Sequence, residues 1–321
     1  MSDEVDYDIS SLIKVYNDGR VERFRGTDVV PSSLDSETGV QSTDVVISAE
    51  TGLSARLYIP KTTINTATQK LPLLVYFHGG AFCMENAYSP TYHNYVNSLV
   101  GLSNIVVVSV NYRLAPENPI PIAYDDSWAA LKWVASHFEG KGTSEWLNSK
   151  ADLERVFFAG DSAGANIANN MAIRVGISEE KLSFRLEGIV LVHPYFMGEQ
   201  VIGEEANRPQ IKALLEAFWL LACPSSTKGL DDPFINPAED PNLERLGCGR
   251  VLVCVAERDF VKDRGLYYIE LLRKSEWRGA VEVMEAKGED HVFHLHDLTS
   301  NNAIAMVNKI VSFIFHQHIN V

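Results

Sequence analysis

Residues 157–170 read FFAGDSAGANIANN. Phe157, Phe158 and Ala159 close an apolar run that suits a buried strand, and Ala163 to Met171 suits a helix. Between them Gly160-Asp161-Ser162-Ala163-Gly164 forms a G-x-S-x-G. A strand that turns this sharply into a helix forces its middle residue into a strained backbone conformation and lifts that side chain above the sheet edge. It also needs small residues two before and two after, where strand and helix nearly touch. Gly160 and Gly164 meet that need. The turn aims the first amides of the helix at a reacting centre where negative charge develops. Ser162 therefore reads as a nucleophile. The competing reading is a Gly/Ser connector, and partners elsewhere in the chain must decide.

The strand that leads into this turn has company. Apolar runs recur at 44–48, 55–59, 73–77, 105–110, 155–159, 188–192, 251–256 and 281–286. The middle runs are continuously apolar, as parallel strands covered on both faces require, whereas the first two alternate and suit antiparallel edge strands. Helical patterns fall between the later strands: 124–137, 162–175, 267–274 and 302–315. Strands alternating with helices predict a doubly wound α/β sheet, whose ligands bind at the carboxyl ends of the strands. No repeat or linker divides the chain, so 1–321 is expected to be a single domain. Residues 1–40 and 196–240 break the alternation. The first holds a short amphipathic piece, ISSLIKVY, then a turn and an extended run. The second carries Ile211, Leu214, Leu215, Phe218 and Trp219 at helical spacing. Both can cap the active end of the sheet and wall an apolar pocket; a packed helix face is the plainer alternative for the second.

Composition narrows the function. With 321 residues, 46 % of them hydrophobic, the chain can build one large core. A net charge of −14 argues against nucleic-acid binding, because phosphate contacts need clustered Lys and Arg. Cys83, Cys223, Cys248 and Cys254 form no C-x-x-C and no metal-ligand spacing. They read as buried free thiols in a reducing compartment. The acidic start MSDEVDYDISS has no apolar signal core, and no run of 18 apolar residues is present. A cytoplasmic protein without a membrane partner is expected, with nuclear access left open.

A serine hydroxyl needs a base, and the base needs a carboxylate to orient it. Of nine histidines, His291 lies in Gly288-Glu289-Asp290-His291, directly after the strand VEVMEA and before the last helix. That places it at the same sheet edge as Ser162. His294 and His296 are nearby decoys. Asp259 follows the strand VLVCVA and fits the carboxylate role better than Glu257, which belongs with the strand, or Asp263, which belongs with the next helix. Asp161 reads as structural. The strand LLVYF runs into His78-Gly79-Gly80-Ala81-Phe82, where glycines let the backbone approach an oxyanion closely. The amides of Gly79, Gly80 and Ala163 are the expected donors, with His78 bracing the loop. Phe82, Phe218, Trp219 and Val292 are the expected pocket residues.

HGGAF (78–82), YRLAPE (112–117), GDSAGAN (160–166) and EDHVFHL (289–295) together resemble the plant carboxylesterases of the hormone-sensitive-lipase-like group of α/β hydrolases. The resemblance runs through nearly the whole chain, including LIKVYNDGRVER (12–23) and DDPFINP (231–237). It implies an eight-stranded, mostly parallel α/β-hydrolase core with an N-terminal and an inserted helical cap, and the triad Ser162, Asp259 and His291. A triad of this kind implies no metal or organic cofactor, and the apolar cap points to small apolar or aromatic esters as substrates. The 2-hydroxyisoflavanone dehydratases share the HGGAFC pattern, with Ala81 where HGGGF is commoner. A dehydratase or a cyclase acting on a hydroxy-ketone therefore stands as the alternative. The gibberellin receptors also resemble the chain, so a small-molecule receptor is a third, less favoured alternative; they lack the catalytic histidine that His291 supplies here.

Overall fold

A computed structural model describes residues 4–9, 11–60 and 70–315. Every strand expected from an apolar run is present, and three more precede them. Strands β1 (Val5–Ile9), β2 (Ile13–Tyr16) and β3 (Val21–Arg23) form a small antiparallel sheet in the order β1-β2-β3. This corrects the expectation of an N-terminal helical cap. Ile13 and Val15 are buried while Lys14 and Tyr16 alternate outward, a period of two rather than 3.6. Asn17-Asp18-Gly19 then turns the chain, with Gly19 at φ 82° and Tyr16 bonded to Arg20 across the hairpin at 2.9 Å.

The main sheet holds β4 (Val40–Ser48), β5 (Leu53–Pro60), β6 (Leu71–Phe77), β7 (Val106–Asn111), β8 (Ala151–Asp161), β9 (Leu186–Val192), β10 (Arg250–Ala256) and β11 (Ala280–Ala286). Their order across the sheet is β11-β10-β9-β8-β6-β7-β5-β4. β4 and β5 pair antiparallel at one edge, and β6 to β11 run parallel. The continuous apolar runs have a direct cause. Leu73, Val75 and Phe77 of β6 face one core while Leu74 and Tyr76 face the other, and β10 divides its Val and Leu/Cys side chains the same way.

Helices cover both faces. α1 (Pro90–Ser103) packs against α8 (Asn301–Phe315) on one side, and α2 (Ile122–Ala135) against α4 (Ala163–Ile177) on the other. α3 (Glu145–Lys150), α5 (Pro209–Ala222), α6 (Lys262–Lys274) and the single turn α7 (Phe293–His296) complete the chain order. α1 was not anticipated in the sequence. Ser89 caps it by accepting from the amide of Tyr92, Pro90 opens its first turn, and Asn104 stops it in a left-handed conformation.

α5 realises the helical spacing expected within 196–240, buries Phe218, Trp219 and Leu221, and touches β1. The segment before α5 is tied to the core by a buried ion pair. Arg264 of α6 meets Glu205 through two bonds of 2.6 and 2.7 Å and also donates to the carbonyls of Gly198 and Gln200. The two side chains are 3 % and 0 % exposed.

Candidate active site

Four loops meet at the carboxyl edge of the parallel strands: those after β6, β8, β10 and β11. Ser162 sits between β8 and α4 with φ 52° and ψ −117°, a region that L residues occupy only under constraint. The constraint is steric. A Cβ on Gly160 would lie 2.3 Å from the carbonyl carbon of Gly164, and one on Gly164 would lie 1.9 Å from the carbonyl oxygen of Phe77. No larger side chain fits either place. The backbone of Ser162 is held on both sides: its amide donates to Val192 at 2.9 Å and its carbonyl accepts from Tyr195 at 3.0 Å.

Asp259 and His291 come together from the loops after the adjacent strands β10 and β11, with Nδ1 of His291 2.9 Å from Oδ2 of Asp259. The other oxygen of Asp259 accepts the amide of Val261 at 3.0 Å. Burial alone would raise the Asp259 carboxyl, but the charge and hydrogen bond of His291 outweigh it and hold Asp259 below its ordinary value. Burial would likewise lower His291; Asp259 outweighs it, and the imidazole is raised. The pair is thus strongest with a proton on Nδ1, which leaves Nε2 to accept. Asp161, beside Ser162, adds its charge to the raising of His291.

The alternatives considered from the sequence resolve into other roles. His294 is fully buried, with its ring edge-on to Tyr95, and burial pushes it down to about 3. Asp263 lies in the first turn of α6 and accepts the amide of Glu204 at 2.7 Å. Glu257 accepts the amide of Gly288 at 2.7 Å.

The loop after β6 turns through three consecutive positive φ angles, at Gly80 (98°), Ala81 (52°) and Phe82 (63°). The amides of Gly80 and Ala81 have no acceptor among the described residues. The first amide of α4, on Ala163, likewise has no partner within its helix. Gly79 differs from the expected trio. Its amide donates to the hydroxyl of Tyr92 at 2.7 Å, so it is already engaged. Tyr92 in turn donates to Asp161 at 2.8 Å, and Tyr76 donates to the other oxygen of Asp161 at 2.7 Å. Despite both bonds, burial raises the Asp161 carboxyl to about 6. His78 stacks on Tyr112 at 4.2 Å, bonds the carbonyl of Gly79 through Nδ1, and is lowered by burial to about 4. It braces the loop and carries no charge at neutral pH.

Tyr92 and Tyr76 were not picked out in the sequence, nor was His193, which follows β9. His193 accepts the amide of Val292 on Nδ1 at 2.9 Å, and its ring centroid is 5.7 Å from that of His291. The His193-Pro194 dipeptide at a strand end was the available cue. Of the expected pocket residues, Phe82 and Trp219 meet at 6.2 Å in a buried cluster with Tyr124 and Tyr195. Phe218 is buried in α5, and Val292 donates its amide to His193.

Donor atoms of His193, Asp259 and His291 lie within 4.8 Å of one another, which raises the question of a metal. Asp259 and Nδ1 of His291 are committed to each other and Nδ1 of His193 to the amide of Val292, while Nε2 of His193 is buried without a partner among the described residues. Among the described residues, no helix is long and apolar enough to cross a membrane.

Residues 74–295 match a family model described as the alpha/beta hydrolase fold. The chain is 47 % identical over 325 residues to probable carboxylesterase 13 of Arabidopsis thaliana, covering 98 % of this chain and 99 % of that one. The chain belongs to the plant carboxylesterase family of α/β hydrolases. Other members of this family share a similar level of identity, among them tuliposide A-converting enzyme 1, chloroplastic, of Tulipa gesneriana. It is 42 % identical, over 98 % of this chain and 79 % of that protein. An esterase of Pyrobaculum calidifontis superposes on this plant carboxylesterase family member with a TM-score of 0.70 at 28 % identity, covering 85 % and 84 % of the two chains.

Proposed function

We propose that the protein is a serine carboxylesterase acting through an acyl-enzyme. Oγ of Ser162 attacks the ester carbonyl while Nε2 of His291 takes the hydroxyl proton. The amides of Gly80, Ala81 and Ala163 receive the oxyanion, with Ala81 standing where the sequence pointed to Gly79. His291 then passes its proton to the departing alcohol. Water, deprotonated by His291, releases the acid and restores Ser162. Asp259 keeps the Nδ1 proton in place and stabilises the imidazolium.

The observation that carries this reading is the 2.9 Å bond between Asp259 and His291 at the edge where Ser162 occupies its strained turn. For the substrate we take small apolar or aromatic esters, bound beside the buried aromatic cluster that Phe82, Tyr124 and Tyr195 form with Trp219 of α5. We take the described residues of 1–40, together with 196–240, as the cap over this site. Four buried free thiols suit the reducing cytosol.

The test is Ser162→Ala, assayed on p-nitrophenyl butyrate and with a fluorophosphonate probe. Turnover and labelling should both vanish. Labelling retained in that variant would overturn the assignment.

A further inference from the structure

Arg23 ends β3 and reaches out of its own small sheet. Its Nε donates to the carbonyl of Cys83 at 2.6 Å and Nη2 to the carbonyl of Ala115 at 2.9 Å. Nη1 and Nη2 also grip Glu117 at 2.8 and 2.5 Å. Only 16 % of the side chain is exposed. Burial alone would raise the Glu117 carboxyl, but the bonds from Arg23 hold it below its ordinary value, so Glu117 is a carboxylate at neutral pH.

Cys83 closes the loop that carries the free amides of Gly80 and Ala81. Three successive positive φ angles persist only where the surroundings over-determine them, and the bonds that do so can be named. The amides of Cys83 and Met84 fold back onto the carbonyl of Gly80 at 3.0 and 2.9 Å. The amide of Ala115 takes the carbonyl of Phe82 at 2.9 Å. Arg23 takes the carbonyl of Cys83 and also the carbonyl of Ala115. It therefore fastens both the strained loop and the segment that pins it. The planar fork makes four bonds at once, two to carbonyls and two to the carboxylate, whereas an ammonium has only three donors.

We propose that Arg23 is a positioning residue for the oxyanion cradle, coupling the N-terminal sheet to the amides of Gly80 and Ala81. The inference rests on the serine-esterase reading above. Because β1 touches α5, the same sheet joins the inserted helix to the cradle, and the cap and the catalytic loop are placed as one unit.

The test compares wild type, Arg23→Met, Arg23→Lys and Glu117→Gln on p-nitrophenyl butyrate, with active sites counted by fluorophosphonate titration. A trifluoromethyl ketone, which binds as a tetrahedral adduct, reads the cradle directly. In Arg23→Met, kcat per labelled site should fall on the order of 10²-fold, the cost of displacing a catalytic group by about 1 Å. KM should stay within about threefold, and the inhibition constant of the ketone should rise in step with the loss in kcat/KM. Arg23→Lys should fall between wild type and Met. Should Arg23→Met not fold, Glu117→Gln decides: about tenfold lower kcat per labelled site with a weaker ketone supports the role. Unchanged kcat and ketone affinity in the folded variants, or a loss confined to KM, overturns it. A wild-type protein that neither turns over nor labels would instead remove the esterase reading on which the proposal stands.

Discussion

The amide of Gly79 donates to the hydroxyl of Tyr92 at 2.7 Å. That one bond separates the two glycines of the loop after β6: Gly79 is an anchor, and the amide of Gly80 has no acceptor among the described residues. It also ties the loop to α1 and, through Tyr92, to the buried Asp161 directly before Ser162.

Tyr92→Phe should accordingly harm both rate and stability. The change strands a buried amide and removes one of two hydroxyl donors to Asp161, at a cost of about 1–3 kcal/mol. With Gly79 released, the neighbouring amides lose their aim, and kcat should fall about tenfold or more. Urea unfolding and p-nitrophenyl butyrate turnover check the two effects. A variant with wild-type kcat would show that Gly79 does not set the loop.

Asp259→Asn should reduce kcat by about 10⁴-fold, because the wrong tautomer of His291 then faces Ser162. The pH profile carries a second signature. Only neutral His291 can accept a proton, so activity falls on the acid side through its pKa. Asp259 raises that pKa above the ordinary 6.5, which places the acid limb of kcat/KM above 6.5. Without the carboxylate the largest opposition to burial is gone, only Asp161 and Asp290 still raise the imidazole, and the limb moves to lower pH. A limb that stays in place would mean that Asp259 is not the partner His291 feels.

How much of this was open to a reader of the sequence depends on where each contact comes from. The strands β6 to β11 were legible because burial on both faces leaves uninterrupted apolar runs. Ser162, Asp259 and His291 were legible because each directly follows such a run. The N-terminal piece was not, because eight residues fit either period and only the buried Ile13 and Val15 decide it. α1 escaped notice because its buried face includes Tyr92, His93, Tyr95 and Asn97 rather than aliphatics alone. Tyr92, His193 and Arg23 act through main-chain groups far along the chain, as in the Arg23 bond to Ala115. No local pattern announces such a partner.

Asp161 offers a test by stability alone. Burial raises its folded pKa to about 6 from an ordinary 3.8. Between these values the folded state keeps a proton that the unfolded chain releases. The stabilising contribution is full below 3.8 and is lost as pH rises through about 6, at up to about 1.4 kcal/mol per pH unit. Asp161→Asn has no such titration. The stability advantage of wild type over the variant should therefore shrink from pH 4 to pH 6 and level off above. A constant difference across that window would mean that Asp161 is already ionised in the acid range.

Arg264 and Glu205 test how the inserted segment is held. The pair is almost wholly removed from water, so deleting one partner leaves an uncompensated buried charge. Arg264→Met should cost about 3–5 kcal/mol in urea unfolding. Joint replacement, Arg264→Met with Glu205→Leu, removes both charges and should recover most of that loss, since a well-packed apolar pair often matches a buried ion pair. The carbonyls of Gly198 and Gln200 lose their donor in either case, so recovery should stop short of wild type. A double variant no more stable than Arg264→Met would assign the loss to those carbonyls rather than to the stranded carboxylate.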